Sequence, residues 1–414
     1  MRSTEPLPQW FVRHCAHWNR YTYTNLLDAW RTHGITPSSL VTYRRALRNV
    51  TCIGIVGSVG KSTLVRVLAA LLPGAHGTVY RTRVNDNWLP QMPLIMHQIA
   101  ARKPRIAILE CGVSRKGDAR ALAYLLPFQA LIYTELVPVH LAEFGKFEWL
   151  VAEKFQFIAR RNACILFSHS ANRALMEERG LHPQYYGPGT DYACAESALT
   201  PSRTRVTLQT PQGRLTATVP LLGYHVGDAV SGALAVVGGF FHIPLTGRVA
   251  DLLRRVRPLP LRMQRYRTAG AEFLIDTANA NRRSILNAVR TFLDLPDERG
   301  KHLVLSGVSG MGAAAGGESA HLTTVLPRLP LRRLASLTLV GTELRLLVRA
   351  VRRAFPRLPL THLSSLEQAQ GMDLAKFRGG LVLLRSGTRQ GKNLANLLPG
   401  FRQRSDETRG VRRP

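Results

Sequence analysis

The stretch Thr51-Cys52-Ile53-Gly54-Ile55-Val56-Gly57-Ser58-Val59-Gly60-Lys61-Ser62-Thr63-Leu64 constrains this chain more than any other. Its apolar start, rich in β-branched residues, predicts a buried strand over 51–56, and TLVRVLAALL from Thr63 predicts a helix. A strand that breaks through glycines into a helix gathers free backbone N–H groups and the positive helix end at one point. Such a point accepts phosphate. Lys61 adds a cation for the outer phosphates, and the Ser62 or Thr63 hydroxyl suits Mg²⁺. The full pattern G-x-x-x-x-G-K-[ST] places its first glycine where this chain has Ile55, so the loop is a shortened variant, with Gly57 and Gly60 as its glycines.

Around this loop the chain alternates between β and α patterns. RIAILECG reads as a strand that ends in Glu110, and FQALIYTELVPVHLAEFG as a strand running into a loop with His140. FEWLVAEKFQFIARR reads as a helix carrying Lys154, and NACILF as another strand. Continuous apolar strands separated by helices predict a parallel sheet covered on both faces, with ligands beyond the strands' carboxyl ends. That geometry brings Glu110 to the phosphate loop as a metal-ligand candidate. The segment 204–221 alternates around Pro211 and Gln212 and predicts an edge hairpin, and LLGYHVGDAVSGALAVVGGFF predicts a helix with His225 at its start. RRVRPLPLRM (254–263) reads as a hinge, after which a second β/α series begins. Arg345, Arg349, Arg352 and Arg353 share one face of a helix there and read as a solvated face.

Composition narrows the class. At 414 residues, 45% hydrophobic and 20% charged, the chain is globular and holds two or three domains. Its net charge of +30 comes almost wholly from arginine, since only eight of 56 basic residues are lysine. The arginines are spread along the chain without an interleaved aromatic patch, which argues against a nucleic-acid partner. Five scattered cysteines fit a reducing compartment, with Cys52, Cys111 and Cys164 expected in the core. No signal-like or membrane-spanning run stands out, so a cytoplasmic protein without a membrane partner is expected.

Several separately placed motifs together resemble the Mur ligase family, over roughly 50–390, and within it most closely the branch that adds D-alanyl-D-alanine to UDP-muramoyl-tripeptide. GSVGKST is similar to the family's phosphate loop G-T-N-G-K-[ST]-[ST]. NDNWLPQMPL resembles N-x-N-N-x-x-G-x-P-L, with Asn85 and Asn87 kept, Trp88 for Asn and Gln91 for Gly. ILECGVSRKGD, TELVPVHLAEFG and VAEKFQFI resemble the segments that carry a magnesium-binding glutamate, a metal-binding histidine and a carbamylated lysine, here Glu110, His140 and Lys154. GYH keeps the family's histidine as His225 and has Val226 for Asn. LRMQRY points to Arg262 as the arginine that meets the γ-phosphate, IDTANANRRS keeps Asp276, Asn279, Asn281 and Ser284, and SGTR (386–389) echoes K-G-S-R. LFSHS (166–170) stands for L-N-x-D-D.

The resemblance implies an α/β protein with a central P-loop-type parallel-sheet ATPase domain followed by a Rossmann-like α/β C-terminal domain. The corresponding division is a short helical segment 1–48, a central ATP-binding domain 49–253, a hinge 254–263, a C-terminal ligase domain 264–400 and a basic tail 401–414. It implies an ATP-dependent carboxylate–amine ligase working through an acyl phosphate, with ATP and two Mg²⁺ ions as cofactors. Lys61, Lys154, His140 and Arg262 would carry the chemistry. Gly57, Ser58, Val59, Gly60, Lys61, Ser62, Thr63, His225, Asp276 and Asn279 would hold the nucleotide, and Ser62, Glu110, His140 and Lys154 the metal. Residues 1–48 are short for the family's UDP-binding domain, so a small-molecule acid other than a UDP-muramoyl peptide is expected, with an amine partner and one of the two anionic. The alternatives are a cell-wall ligase with an abbreviated N-terminus, a nucleic-acid-associated P-loop NTPase and a degenerate, non-catalytic subunit.

Overall fold

The computed structural model describes residues 7–17, 26–72, 78–84, 86–158, 164–308, 315–387 and 393–401. Asn85, Arg389 and the basic tail beyond 401 lie outside the described residues. Ahead of the first strand run α1 (Gln9–Ala16), α2 (Leu26–Arg31) and α3 (Pro37–Ala46). Thr36 caps α3 in a reciprocal box with Ser39, and Pro37 pre-sets its first turn. Phe11, Cys15, Leu26, Trp30 and Leu40 from these helices are buried together with Leu89, Met92, Met96 and Leu122 further along. These helices therefore complete a core shared with the following sheet and build none of their own.

That sheet arises from β1 (Thr51–Val56), α4 (Lys61–Leu71), β2 (Val79–Arg81), α5 (Met92–Arg102), β3 (Ile106–Glu110), α6 (Asp118–Leu125), β4 (Phe128–Tyr133), α7 (Leu141–Phe144), α8 (Phe147–Phe155), β5 (Ile165–His169), α9 (Arg173–Glu177) and β6 (Gln184–Tyr186). The strands are parallel, in the order β2-β3-β1-β4-β5-β6. β1 lies at the centre, with Ile55 level with Glu110 on one side and Ile132 on the other. The ends of β1, β3 and β4 therefore open at one height, which fixes where a ligand can sit.

β7 (Ala193–Leu199), β8 (Thr204–Thr210) and β9 (Gly213–Val219) form an antiparallel sheet. The expected hairpin is β8–β9; β7 adds a strand that the alternation did not show, because its residues are mostly half-exposed. α10 (His225–Gly239) and α11 (Gly247–Leu253) follow, and α10 packs its small residues on α4.

The second series is β10 (Gln264–Thr268), β11 (Ala271–Asp276), α12 (Arg282–Asp294), β12 (Lys301–Ser306), α13 (Ala315–Val325), β13 (Ser336–Val340), α14 (Arg345–Ala354), β14 (Leu360–Leu363), α15 (Leu366–Gln370) and β15 (Leu381–Arg385). The last strand, β15, inserts between β11 and β12, giving the order β10-β11-β15-β12-β13-β14. The sheet is parallel except for β10, which runs antiparallel to β11. β10 carries Gln264, Arg265 and Arg267 at an edge, so it lacks the apolar signal of a buried strand. On α14 the four arginines are exposed and Leu347, Val348 and Val351 are buried, as expected. Cys52 and Cys111 are core residues, but Cys164 is only half-buried, because it precedes β5 and does not lie within it.

Candidate active site

The phosphate loop joins β1 to α4. Gly57 has φ +141° and lies against Thr134, whose Oγ1 would be 1.9 Å from an added Cβ; Gly60 takes a left-handed φ of +82° with open space around it. Both are glycines for different reasons, one steric and one conformational. The Ser58 N–H donates to the Glu135 carbonyl at 3.0 Å, and Ser58 Oγ to the Val137 carbonyl at 2.8 Å. The loop is thus laid along the segment that leaves β4.

Two lysines converge on one acceptor. Lys61 Nζ donates to the Gly57 carbonyl at 3.1 Å, and Lys154 Nζ, from α8, donates to the same oxygen at 3.0 Å. Lys154 is only 2% exposed. Burial, and then the neighbouring Lys61 cation, hold its amine well below the ordinary lysine range. Lys61 is lowered too, by burial, with Glu110 opposing. Two cations at such range weaken each other's hold on a proton, and of the two Lys154, the more deeply buried, is lowered further.

Glu110 ends β3 beneath the loop. Its Oε2 accepts from Ser62 Oγ at 2.7 Å, its Oε1 from Asn87 Nδ2 at 2.7 Å, and its N–H donates to Thr82 Oγ1 at 3.0 Å. Ser62 Oγ in turn accepts from Arg262 Nη2 at 3.0 Å, a direct bridge from the C-terminal half. Leu261 and Met263 on either side of Arg262 have φ of +55° and +50°, as His140 does at +56°; strained backbone of this kind persists only where the surroundings hold it. A second bridge joins Arg283 Nε to Glu135 at 3.0 Å.

Asp276 ends β11 level with Arg385, which ends β15. Arg385 is 1% exposed. Its Nε lies 3.2 Å from Asp276 Oδ2, and its Nη1 donates to the carbonyls of Asp276 at 2.8 Å and Asn279 at 2.7 Å, while Nη2 donates to Ser284 Oγ at 2.6 Å. His225 is half-buried at the start of α10, and desolvation keeps its imidazole below the ordinary range, with Asp276 opposing.

Gly57, Ser58, Val59, Gly60, Lys61, Ser62, Thr63, Glu110, His140, Lys154, His225, Arg262, Asp276 and Asn279 line a single cavity of about 520 Å³. The fold brings together every site residue singled out in the sequence. Sequence reasoning gave no role to Asn87, although its motif was seen, and missed Arg385 altogether. An arginine closing the otherwise apolar strand LVLLR was the available signal. Among the described residues no three His, Cys, Asp or Glu side chains gather as a metal cluster. The donors present are instead the Ser62 hydroxyl with the Glu110 carboxylate, and His140 with Lys154. The first pair fits Mg²⁺, which takes one or two carboxylates together with substrate phosphates and water. The second fits only if the Lys154 amine carries an anionic group.

Residues 55–237, less than half of the chain, match the family described as Mur ligase middle domain. The chain is 26% identical over 268 residues to the UDP-N-acetylmuramoyl-tripeptide–D-alanyl-D-alanine ligase of Haemophilus influenzae, a match covering 62% of this chain and 57% of that relative's length. Among solved structures it resembles MurF from Acinetobacter baumannii with a TM-score of 0.76 at 20% identity, covering 87% of this chain and 78% of that one. It also resembles the Mycobacterium tuberculosis folylpolyglutamate synthase complexed with ADP and AMPPCP, with a TM-score of 0.63 at 17% identity, covering 85% and 92%. With these matches falling on the β1 phosphate loop and its surroundings, residues 55–237 match a Mur ligase middle domain, and the chain shares the mixed α/β fold of the Acinetobacter MurF structure.

Proposed function

We propose that the chain is an ATP-dependent ligase that joins a carboxylic acid to an amine through an acyl phosphate. The observation that carries this reading is the pairing at Gly57: a phosphate loop shares its carbonyl with a second, deeply buried lysine whose pKa burial holds well below the ordinary lysine range. A hydrolytic phosphate site has no use for that amine. An uncharged amine adds CO₂ and loses a proton to become a carbamate, which would supply an anionic oxygen donor in the cavity that His140 also lines.

In the reaction, a carboxylate oxygen of the acid attacks the γ-phosphorus and ADP leaves. The amine nitrogen then attacks the acyl carbon, phosphate leaves, and the amine loses a proton. The loop amides, Lys61 and the α4 N-terminus orient the phosphates, so the transfer becomes mainly a matter of positioning and charge. Arg262 donates beside Ser62, where charge accumulates on the γ-phosphoryl group. Asp276, Asn279 and His225 hold the nucleotide. When bound, Mg²⁺ on Ser62 and Glu110, with a second ion on His140 and carbamylated Lys154, neutralises the phosphate oxygens and the acid's carboxylate. We read 254–263 as the hinge about which 264–400 closes, since Arg262 and Arg283 bridge to the phosphate-loop side. Closure keeps water from the acyl phosphate.

The acid we favour is a small one other than a UDP-muramoyl peptide, since α1–α3 pack into the core on one face of the phosphate-loop sheet and form no core of their own. ADP release measured over a panel of amino acids, dipeptides and UDP-muramoyl peptides tests the reading. ADP should appear only with an acid and an amine together. Release driven by nucleic acid, or no ATP binding at all, would replace it with a P-loop NTPase or a non-catalytic subunit.

A further inference from the structure

The sheet order places the phosphate loop, after β1, in the middle of the cavity, with β3 and β2 to one side and β5 and β6 to the other. On the β3 side two segments form the wall. Residues 112–114 follow Glu110, and Asn87, Trp88 and Gln91 lead into α5. Both segments are tied from behind by the N-terminal helices, which precede the stretch over which the family motifs run.

The tie to the first segment is buried. His14 Nε2 lies 2.9 Å from Asp118 Oδ1, with the His14 side chain 11% exposed and the Asp118 side chain 0%. The other Asp118 oxygen accepts the N–H groups of Ser114 at 2.9 Å and Arg115 at 3.0 Å. One carboxylate thus converts the position of His14 into the position of Ser114, which faces the cavity. The His14 ring packs on Gly117, where an added Cβ would come within 3.0 Å of it, and Arg115 Nη1 donates to the His17 carbonyl at 2.9 Å. The tie to the second segment is Trp30 Nε1, which donates to the Pro90 carbonyl at 2.9 Å from a side chain 2% exposed. Asn87 closes the frame between the two, accepting Gly112 N–H at its carbonyl and donating to Glu110.

We propose that α1 and α2 position the acid-binding wall of the cavity, His14 by fixing the 112–118 turn through Asp118 and Trp30 by fixing 87–91 through Pro90. That this wall takes the acid rests on the ligase reading, since Glu110 and Asn87 mark the γ-phosphate end there. His14 and Trp30 are positioning residues; neither lines the cavity.

The test compares the full chain with His14→Ala, His14→Gln and Trp30→Phe. Gln retains an N–H donor for Asp118, and Phe retains the ring volume but not the donor. In the nucleotide-free protein, amide exchange across 112–118 should accelerate roughly tenfold in His14→Ala and return toward the original rate in His14→Gln, with β1 and β3 unchanged. Trp30→Phe should loosen 87–92 in the same local way. With the acid that supports ADP release, KM for the acid should rise about tenfold to a hundredfold in His14→Ala and recover in His14→Gln, while KM for ATP and the affinity for N-methylanthraniloyl-ADP hold. The proposal is overturned if 112–118 exchanges at the original rate, if acid and ATP parameters shift together, or if Gln behaves as Ala. If the unaltered protein releases no ADP with any acid and amine, the ligase reading fails, and the exchange pattern with N-methylanthraniloyl-ADP affinity alone decides the brace.

Discussion

Replacing Lys154 by methionine separates the two forms its amine can take. Lys61 and Lys154 each lie within hydrogen-bond reach of the Gly57 oxygen, so their nitrogens are no more than about 6 Å apart. At an effective dielectric constant of ~20, two ammonium charges at that range repel by about 3 kcal/mol, before any cost of burying the Lys154 charge. Methionine fills similar volume without charge. A lysine whose folded-state pKa is depressed binds fewer protons folded than unfolded, so stability rises with pH until the unfolded value of ~10.4 is reached. Lys154→Met should therefore be more stable than the unaltered protein in mild acid, by about 3 kcal/mol, which for a chain of 414 residues is about 3–4 °C in melting temperature. That advantage should shrink as pH rises and vanish toward pH ~10. Bicarbonate should narrow the gap at neutral pH by converting repulsion into attraction at the same distance, and a ¹³C-bicarbonate NMR signal should be present only with lysine. Thermal melts across pH, with and without bicarbonate, measure all of this. An advantage that is constant or grows with pH, or a bicarbonate effect equal in both proteins, would refute the neutral-amine argument. In turnover, Lys154→Ala should lose ADP release and regain part of it with added acetate.

The two loop glycines should respond unequally to one added methyl. Gly60→Ala bears only left-handed strain, about 1–2 kcal/mol, whereas Gly57→Ala must also displace Thr134 and should abolish binding of a fluorescent ADP analogue; equal losses would contradict the steric assignment. Arg385→Met strands Asp276 and the carbonyls of the β11–α12 loop, so calorimetry should show the C-terminal half destabilised by about 3–5 kcal/mol. Glu272 is buried among Arg265, Arg267 and Arg299. Burial opposes its ionisation, but the arginines win and hold its carboxyl below the ordinary range. Its stabilisation is therefore present above the unfolded glutamate range and lost as pH falls through the folded value. Glu272→Gln should cost about 3 kcal/mol at neutral pH and flatten the acid limb of the unfolding curve; an acid limb left unchanged would discount the cluster.

Local chemistry made much of the site legible. A phosphate loop announces itself because strand, glycine turn, lysine and helix are contiguous in the chain, and Glu110 stands out as an acid ending an apolar run; His140, Lys154 and Asp276 were singled out through the family resemblance. Arg385 did not, because its role comes from β15 inserting beside β11, a pairing of residues more than a hundred positions apart. β10 and β7 were missed for the opposite reason: edge strands need no apolar face, so their periodicity is weak.

The sequence by itself determined the alternation of strand and helix, the shortened phosphate loop and the kinds of side chain available for acyl-phosphate chemistry. These depend on local periodicity, on backbone freedom at a few glycines and on residue type. Only the tertiary structure decided that Lys61 and Lys154 share one carbonyl, that Arg262 reaches across to Ser62, and that His14 and Trp30 stand behind the wall beside Glu110. Each of those is a contact between residues far apart in sequence. Burial then gives the contact its chemical meaning: a lysine in water holds its proton firmly, and the same lysine enclosed beside another holds it far less tightly.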